Sequence, residues 1–111
     1  MRRGEIWWAA WPRLQRHPVL LLSWDAHGNW RDQVTVAEVT STIRGLDAEV
    51  SLSRKDGMPR PSVVNLDRII TIRRSLLTDR VCSLSGERMQ DVERAIHVAL
   101  GIALPCRLSP A

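Results

Sequence analysis

The chain has no Phe and no Tyr, so five Trp supply all of its aromatic surface. It has two Cys, a single Lys (Lys55) against fifteen Arg, and no long apolar run. Each shortage excludes something. Cys82 and Cys106 lack metal-ligand spacing, and His17, His27 and His97 are scattered, which argues against both a disulfide framework and a zinc site. Neither metal nor cofactor is expected. The apolar run Ile6–Trp11 is framed by Glu5 and by Pro12-Arg13, too short for the core of a signal sequence. No segment approaches the roughly 20 apolar residues that cross a bilayer. The expectation is a reduced cytoplasmic protein with no membrane attachment.

What is present fits one compact unit. A chain of 111 residues, 44% hydrophobic and 25% charged, is long enough for a single core without covalent staples. The expected division is one domain over 1–104 and a short C-terminal tail over 105–111. Basic residues exceed acidic ones by 16 − 12 = 4. Arginine suits bidentate contact with phosphate. An arginine-rich composition also arises without nucleic-acid binding, so charge alone leaves that question open.

The pattern is mainly β. Gly4–Trp11 predicts a first strand and Pro18–Ser23 a second, continuous apolar one, buried on both faces. Trp24–Gln33 is a loop, with Asp25, Gly28 and Asn29 as turn residues. Val34–Thr40 and Ala48–Leu52 are strands joined through the turn Gly45-Leu46-Asp47, and Ser53–Arg60 is a loop tip. The β-branched block Ser62–Ile72 is the densest strand signal in the chain. Asn65 and Asp67 interrupt it, which predicts strands at Ser62–Asn65 and Arg68–Arg73 joined by a sharp bend. Val81–Leu84 adds a short edge strand. One helix closes the chain, capped by Ser85 and stopped at Gly101, with Met89, Val92, Ile96, Ala99 and Leu100 on one apolar face. The architecture expected is a small, mostly antiparallel β-barrel with a C-terminal helix.

Four stretches in this order resemble the MazF/PemK family of toxins. Arg3-Gly4-Glu5-Ile6-Trp7 is similar to the family's opening motif, and His17-Pro18-Val19-Leu20-Leu21-Leu22-Ser23 to its Arg-Pro-Val-Leu strand. Val36-Ala37-Glu38-Val39-Thr40-Ser41 resembles its strand end, and Ser62–Ile72 its Ser-Val-Val-Asn-Leu-Asp block. The resemblance implies an SH3-like barrel of the MazF/PemK/CcdB type that forms a homodimer. It implies metal-independent cutting of single-stranded RNA or mRNA at a short sequence. It also implies inhibition by a cognate MazE-like antitoxin. Where many members carry Arg before the Pro-Val-Leu strand, this chain has His17, with Arg16 one residue earlier.

RNA cleaves without a metal when its own 2′-hydroxyl attacks the adjacent phosphate. A base must take the hydroxyl proton, an acid must protonate the leaving 5′-oxygen, and positive charge must face the phosphorane. The candidates are His17 for proton transfer, Arg16 for charge, Thr40 as a hydrogen-bond donor and Asp67 as an orienting group or base. Ser41, Asn65 and Arg68 are candidate RNA contacts, as are Asn29 and Trp30 in the long loop, where an indole can stack on a base. Trp24 is expected to pack rather than stack. Trp7, Trp8 and Trp11 cannot all face inward, because neighbours on a strand alternate. The rival reading is a CcdB-like poison that binds a protein such as gyrase, or a silent homologue that binds only RNA or antitoxin. A protein poison has no need of the Arg16, His17, Thr40 and Asp67 cluster.

Overall fold

The structure, a computed structural model, describes residues 1–10, 15–23 and 32–102. Six strands form one antiparallel sheet in the order β4-β5-β3-β2-β1-β6. They are β1 (Glu5–Ala10), β2 (Arg16–Leu21), β3 (Gln33–Thr40), β4 (Glu49–Leu52), β5 (Ser62–Arg73) and β6 (Leu77–Ser83). The helix α1 (Gly86–Leu100) packs across β5 and β4. The protein is mainly β, a curled half-barrel with one helix. This is the small antiparallel barrel with a C-terminal helix that the pattern implies, and among the described residues β4 and β6 do not pair with each other, so the sheet keeps two edges.

Strand alternation divides the side chains between two apolar clusters. On the helix side, Ile6, Leu20, Ala37, Val39, Val50, Val64 and Leu66 pack with Met89, Val92 and Ala95 of α1. On the opposite face, Ala9, Val19, Leu21, Val36, Ile72 and Leu77 form a second cluster with Trp7 against it. In α1, Ala95 joins the buried face, while Leu100 is exposed in the last turn. Ser85 caps the helix by accepting from the Arg88 amide, and Gly101 ends it in the left-handed conformation.

Several boundaries differ from expectation for identifiable reasons. β2 begins at Arg16 rather than Pro18, because Arg16 and His17 pair with Ala10 and Ala9 of β1. Pro18 is tolerated within it because β3 joins β2 only from Val19 onward, leaving β2 with one bonded neighbour at that point. β6 is longer than Val81–Leu84, since pairing along β1 extends it back to Leu77. The Ser53–Arg60 tip holds one 3-10 turn, Arg54–Asp56, with Ser53 and Asp56 forming a capping box.

The expected bend in the Ser62–Ile72 block is instead a bulge inside one continuous strand of 12 residues. Against β3, Ala37 pairs with Ile69 but the next residue, Glu38, pairs with Asn65. Leu66, Asp67 and Arg68 have no opposite number. Asn65 Oδ1 accepts from the Asp67 amide at 3.0 Å and so stabilises the bulge with its own side chain. The slip also changes facing. Asn65 and Ile69 are four residues apart and would share a face on a regular strand. Here Ile69 packs against the helix-side core while Asn65 lines a cleft on the other face.

Candidate RNA-binding cleft

The bulge and the strand end beside it build a small pocket on the sheet face away from α1. Glu38, Thr40, Thr42, Arg44, Asn65 and Arg68 line a space of about 100 Å³. Glu38 and Thr40 share this face because they are two apart on β3. Asn65 is opposite Glu38 and only 5% exposed. Arg68 reaches back from the bulge, and its Nε forms an ion pair with Glu38 Oε1 at 3.3 Å. Thr40 Oγ1 accepts from the Thr42 amide at 3.1 Å, which leaves the Thr40 hydroxyl proton to donate elsewhere. Arg44 is positioned by Glu49, whose Oε1 accepts from the amides of Arg44, Gly45 and Leu46 at 3.2, 2.9 and 3.3 Å. Gly45 turns there at φ 72°, a conformation glycine adopts freely.

The predicted site residues fall into three groups. Thr40, Asn65 and Arg68 meet in the cleft, while Ser41, exposed between Thr40 and Thr42, does not line it. His17 lies on the same face of the sheet, because Val19, its second neighbour on β2, stands opposite Glu38. Its Nε2 is 3.3 Å from Gln15 Oε1. Arg16 is on the other face. Its guanidinium sits 5.1 Å from the Trp8 ring centroid and donates to Asp79 Oδ2 of β6 at 2.7 Å. Thus the pleat separates Arg16 from His17. Asp67 is exposed on the bulge and does not line the cleft. Asn29 and Trp30 lie outside the described residues.

Sequence reasoning passed over Glu38, Thr42 and Arg44. The signal for Glu38 was its spacing of two from Thr40, which fixes a shared face on any strand. For Arg44 no sequence signal existed, since its place depends on the carboxylate of Glu49 holding the loop.

A second acidic residue organises the N-terminus. Glu5, 6% exposed, accepts from the Trp7 indole and the Arg2 amide, both at 2.9 Å, and from Arg80 at 3.3 Å. Burial pushes its carboxyl up. The hydrogen bonds from Trp7, Arg2 and Arg80, with the N-terminal ammonium, outweigh that and hold it below the ordinary carboxylate range. Burial, with Asp56 nearby, pushes the Cys82 thiol up, so this residue is a poor nucleophile.

The half-barrel backed by one helix thus gathers arginines and hydroxyls around a cleft at its strand ends. Residues 2–100 match the PemK-like, MazF-like toxin of type II toxin–antitoxin systems, and the chain belongs to that family. It is 41% identical over 105 residues to the probable endoribonuclease MazF5 of Mycobacterium tuberculosis, covering 94% of this chain and 93% of that one. It is 36% identical over 102 residues to the probable endoribonuclease MazF2 of the same species, covering 91% and 99%. Among solved structures, the Mycobacterium tuberculosis toxin MazF-mt6 superposes with a TM-score of 0.82 at 30% identity, over 90% of this chain and 99% of that one. A mycobacterial endoribonuclease in complex with its cognate antitoxin shares the fold, with a TM-score of 0.84 at 24% identity over 95% and 99%.

Proposed function

We propose that the chain is a sequence-specific endoribonuclease toxin that cuts single-stranded RNA by attack of the 2′-hydroxyl on the adjacent phosphate. His17 takes the 2′-hydroxyl proton, the oxygen bonds to phosphorus, and the bond to the 5′-oxygen breaks. The products are a 2′,3′-cyclic phosphate and, once the leaving oxygen is protonated, a 5′-hydroxyl. The Thr40 hydroxyl donates to a phosphate oxygen, and Arg68 and Arg44 meet the charge that builds up on the phosphorane. Arg16 supports the end of β2 from the opposite face. Asp67 acts through the bulge that aims Arg68, and Ser41 extends the RNA path beside the cleft.

The observation that carries this reading is one sheet face holding His17 beside a cleft with Thr40, Asn65 and two arginines. A protein-binding poison needs no such group of phosphate-facing side chains. We further propose a cytoplasmic homodimer inhibited by a MazE-like antitoxin, in keeping with structural neighbours solved as an endoribonuclease with its cognate antitoxin and as MazE-MazF. No described helix is long and apolar enough to cross a membrane.

Purified protein incubated with a long RNA in excess EDTA tests the proposal. Discrete fragments ending in a cyclic phosphate are expected. Intact RNA, or cleavage that returns only when a divalent cation is restored, overturns it.

A further inference from the structure

The cleft contains a group that a pure phosphate site should avoid. Glu38 carries a negative charge among the side chains that would face a polyanion, and charge of that sign weakens phosphate binding. Its geometry points to another use. Among the described residues only Oε1 is engaged, in an ion pair with Arg68 Nε at 3.3 Å. Oε2 has no partner among the described residues, nor do the two terminal nitrogens of Arg68. Asn65 adds a second observation. It is 5% exposed and uses Oδ1 on the Asp67 amide, while its Nδ2 has no described partner and borders the same space. Leaving a buried amide donor unpaired is costly, so this one is poised for a ligand acceptor.

We infer that Glu38, steadied by Arg68, and Asn65 read a guanine base in the RNA, with Glu38 as the specificity-determining residue. The inference rests on the reading of the cleft as an RNA site and deepens it. The Watson–Crick edge of guanine presents two adjacent donors, N1–H and the N2 amino group, beside one acceptor, O6. A carboxylate accepts both donors side by side, and Asn65 Nδ2 donates to O6. Uracil offers one ring N–H between two carbonyls and cannot fill both carboxylate oxygens. Adenine and cytosine each offer a single exocyclic amino group beside a ring acceptor, which faces the second carboxylate oxygen repulsively. Loose single strands expose this edge, so the cleft can reach it.

The test measures binding of 2′-O-methyl oligouridylates, which cannot be cut, with and without one guanosine. Wild-type protein is expected to bind the guanosine oligomer about tenfold or more tightly, and inosine in its place, lacking the N2 amino group, is expected to lose most of that gain. Glu38→Gln is expected to abolish the guanosine gain while affinity for plain oligouridylate holds or rises, because a negative charge has left the cleft. If Glu38 were only a structural partner of Arg68, both oligomers would weaken together, and that result overturns the inference. So does a wild type with no guanosine preference. Because binding is read on uncuttable RNA, failure of the cleavage reaction and failure of base reading give different results.

Discussion

His17 and Arg16 are neighbours in sequence that the pleat sends to opposite faces, and their alanine variants therefore separate two roles. His17→Ala is expected to lower the cleavage rate about 10²- to 10⁴-fold, with RNA affinity within a few-fold of wild type, in single-turnover assays on a labelled RNA. Arg16→Ala removes an exposed ion pair with Asp79, worth about 0.2–1 kcal/mol, and is expected to leave the rate within a few-fold. A large loss of rate in Arg16→Ala would mean that β2 turns over on binding RNA. Glu5 gives a prediction of another kind. Its folded carboxyl titrates below the unfolded value of about 4.5, so its contribution to stability is present above that pH and is lost as pH falls through the folded value. The stability gap between wild type and Glu5→Gln, from urea unfolding, should be widest near neutrality and should shrink steadily below about pH 4.5. At this scale Thr40, Asn65 and Arg68 were legible in the sequence because each sits in a patterned strand segment. Which way Arg16 faces was not, since the β1–β2 pairing decides it and no local pattern reports that pairing.

Among the elements, β5 shows most clearly where local pattern ends and tertiary pairing begins. The β-branched content of Ser62–Ile72 announced a strand, and Asn65 and Asp67 correctly marked a disturbance in it. Whether that disturbance breaks the strand or bulges it depends on β3, which stays bonded on both sides of it. The helix was legible almost to the residue, because Ser85 and Gly101 are strong local signals that need no partner. Asn65→Ala should remove the hydrogen bond that steadies the bulge and cost about 1 kcal/mol in urea denaturation. It should weaken RNA binding as well, by loosening Arg68. The tip after β4 is constrained more tightly than its loop composition implied. Gly57 sits at φ +98°, and a Cβ added there would lie 2.6 Å from Cys82 Cβ on β6. Gly57→Ala is expected to destabilise the fold by about 1–3 kcal/mol, read as a lower denaturation midpoint.

At the scale of the whole molecule, the open sheet and the apolar surface beside it bear on assembly. Leu46, Val98, Leu100 and Ile102 are 45%, 55%, 60% and 51% exposed. Sedimentation at micromolar concentration should give a species near twice 12.6 kDa, and a purely monomeric boundary would overturn the dimer. Binding to single-stranded RNA should weaken with salt by about 0.7 log unit per log unit for each phosphate contact, and a flat response would remove phosphate from the cleft. The three unmatched residues of β5 carry a further consequence, for how this protein can change length. Four apart, Asn65 and Ile69 would share a face on a regular strand, so the bulge absorbs the flip between them and works like a phase shifter between core and site. Deleting Asp67 alone would leave them three apart, a spacing at which plain alternation already sends them to opposite faces. Deleting two residues would leave them two apart and would again need irregular backbone to keep Asn65 out of the core or Ile69 out of solvent. Variants that shorten the bulge by one residue are therefore expected to keep a urea midpoint closer to wild type than variants that shorten it by two.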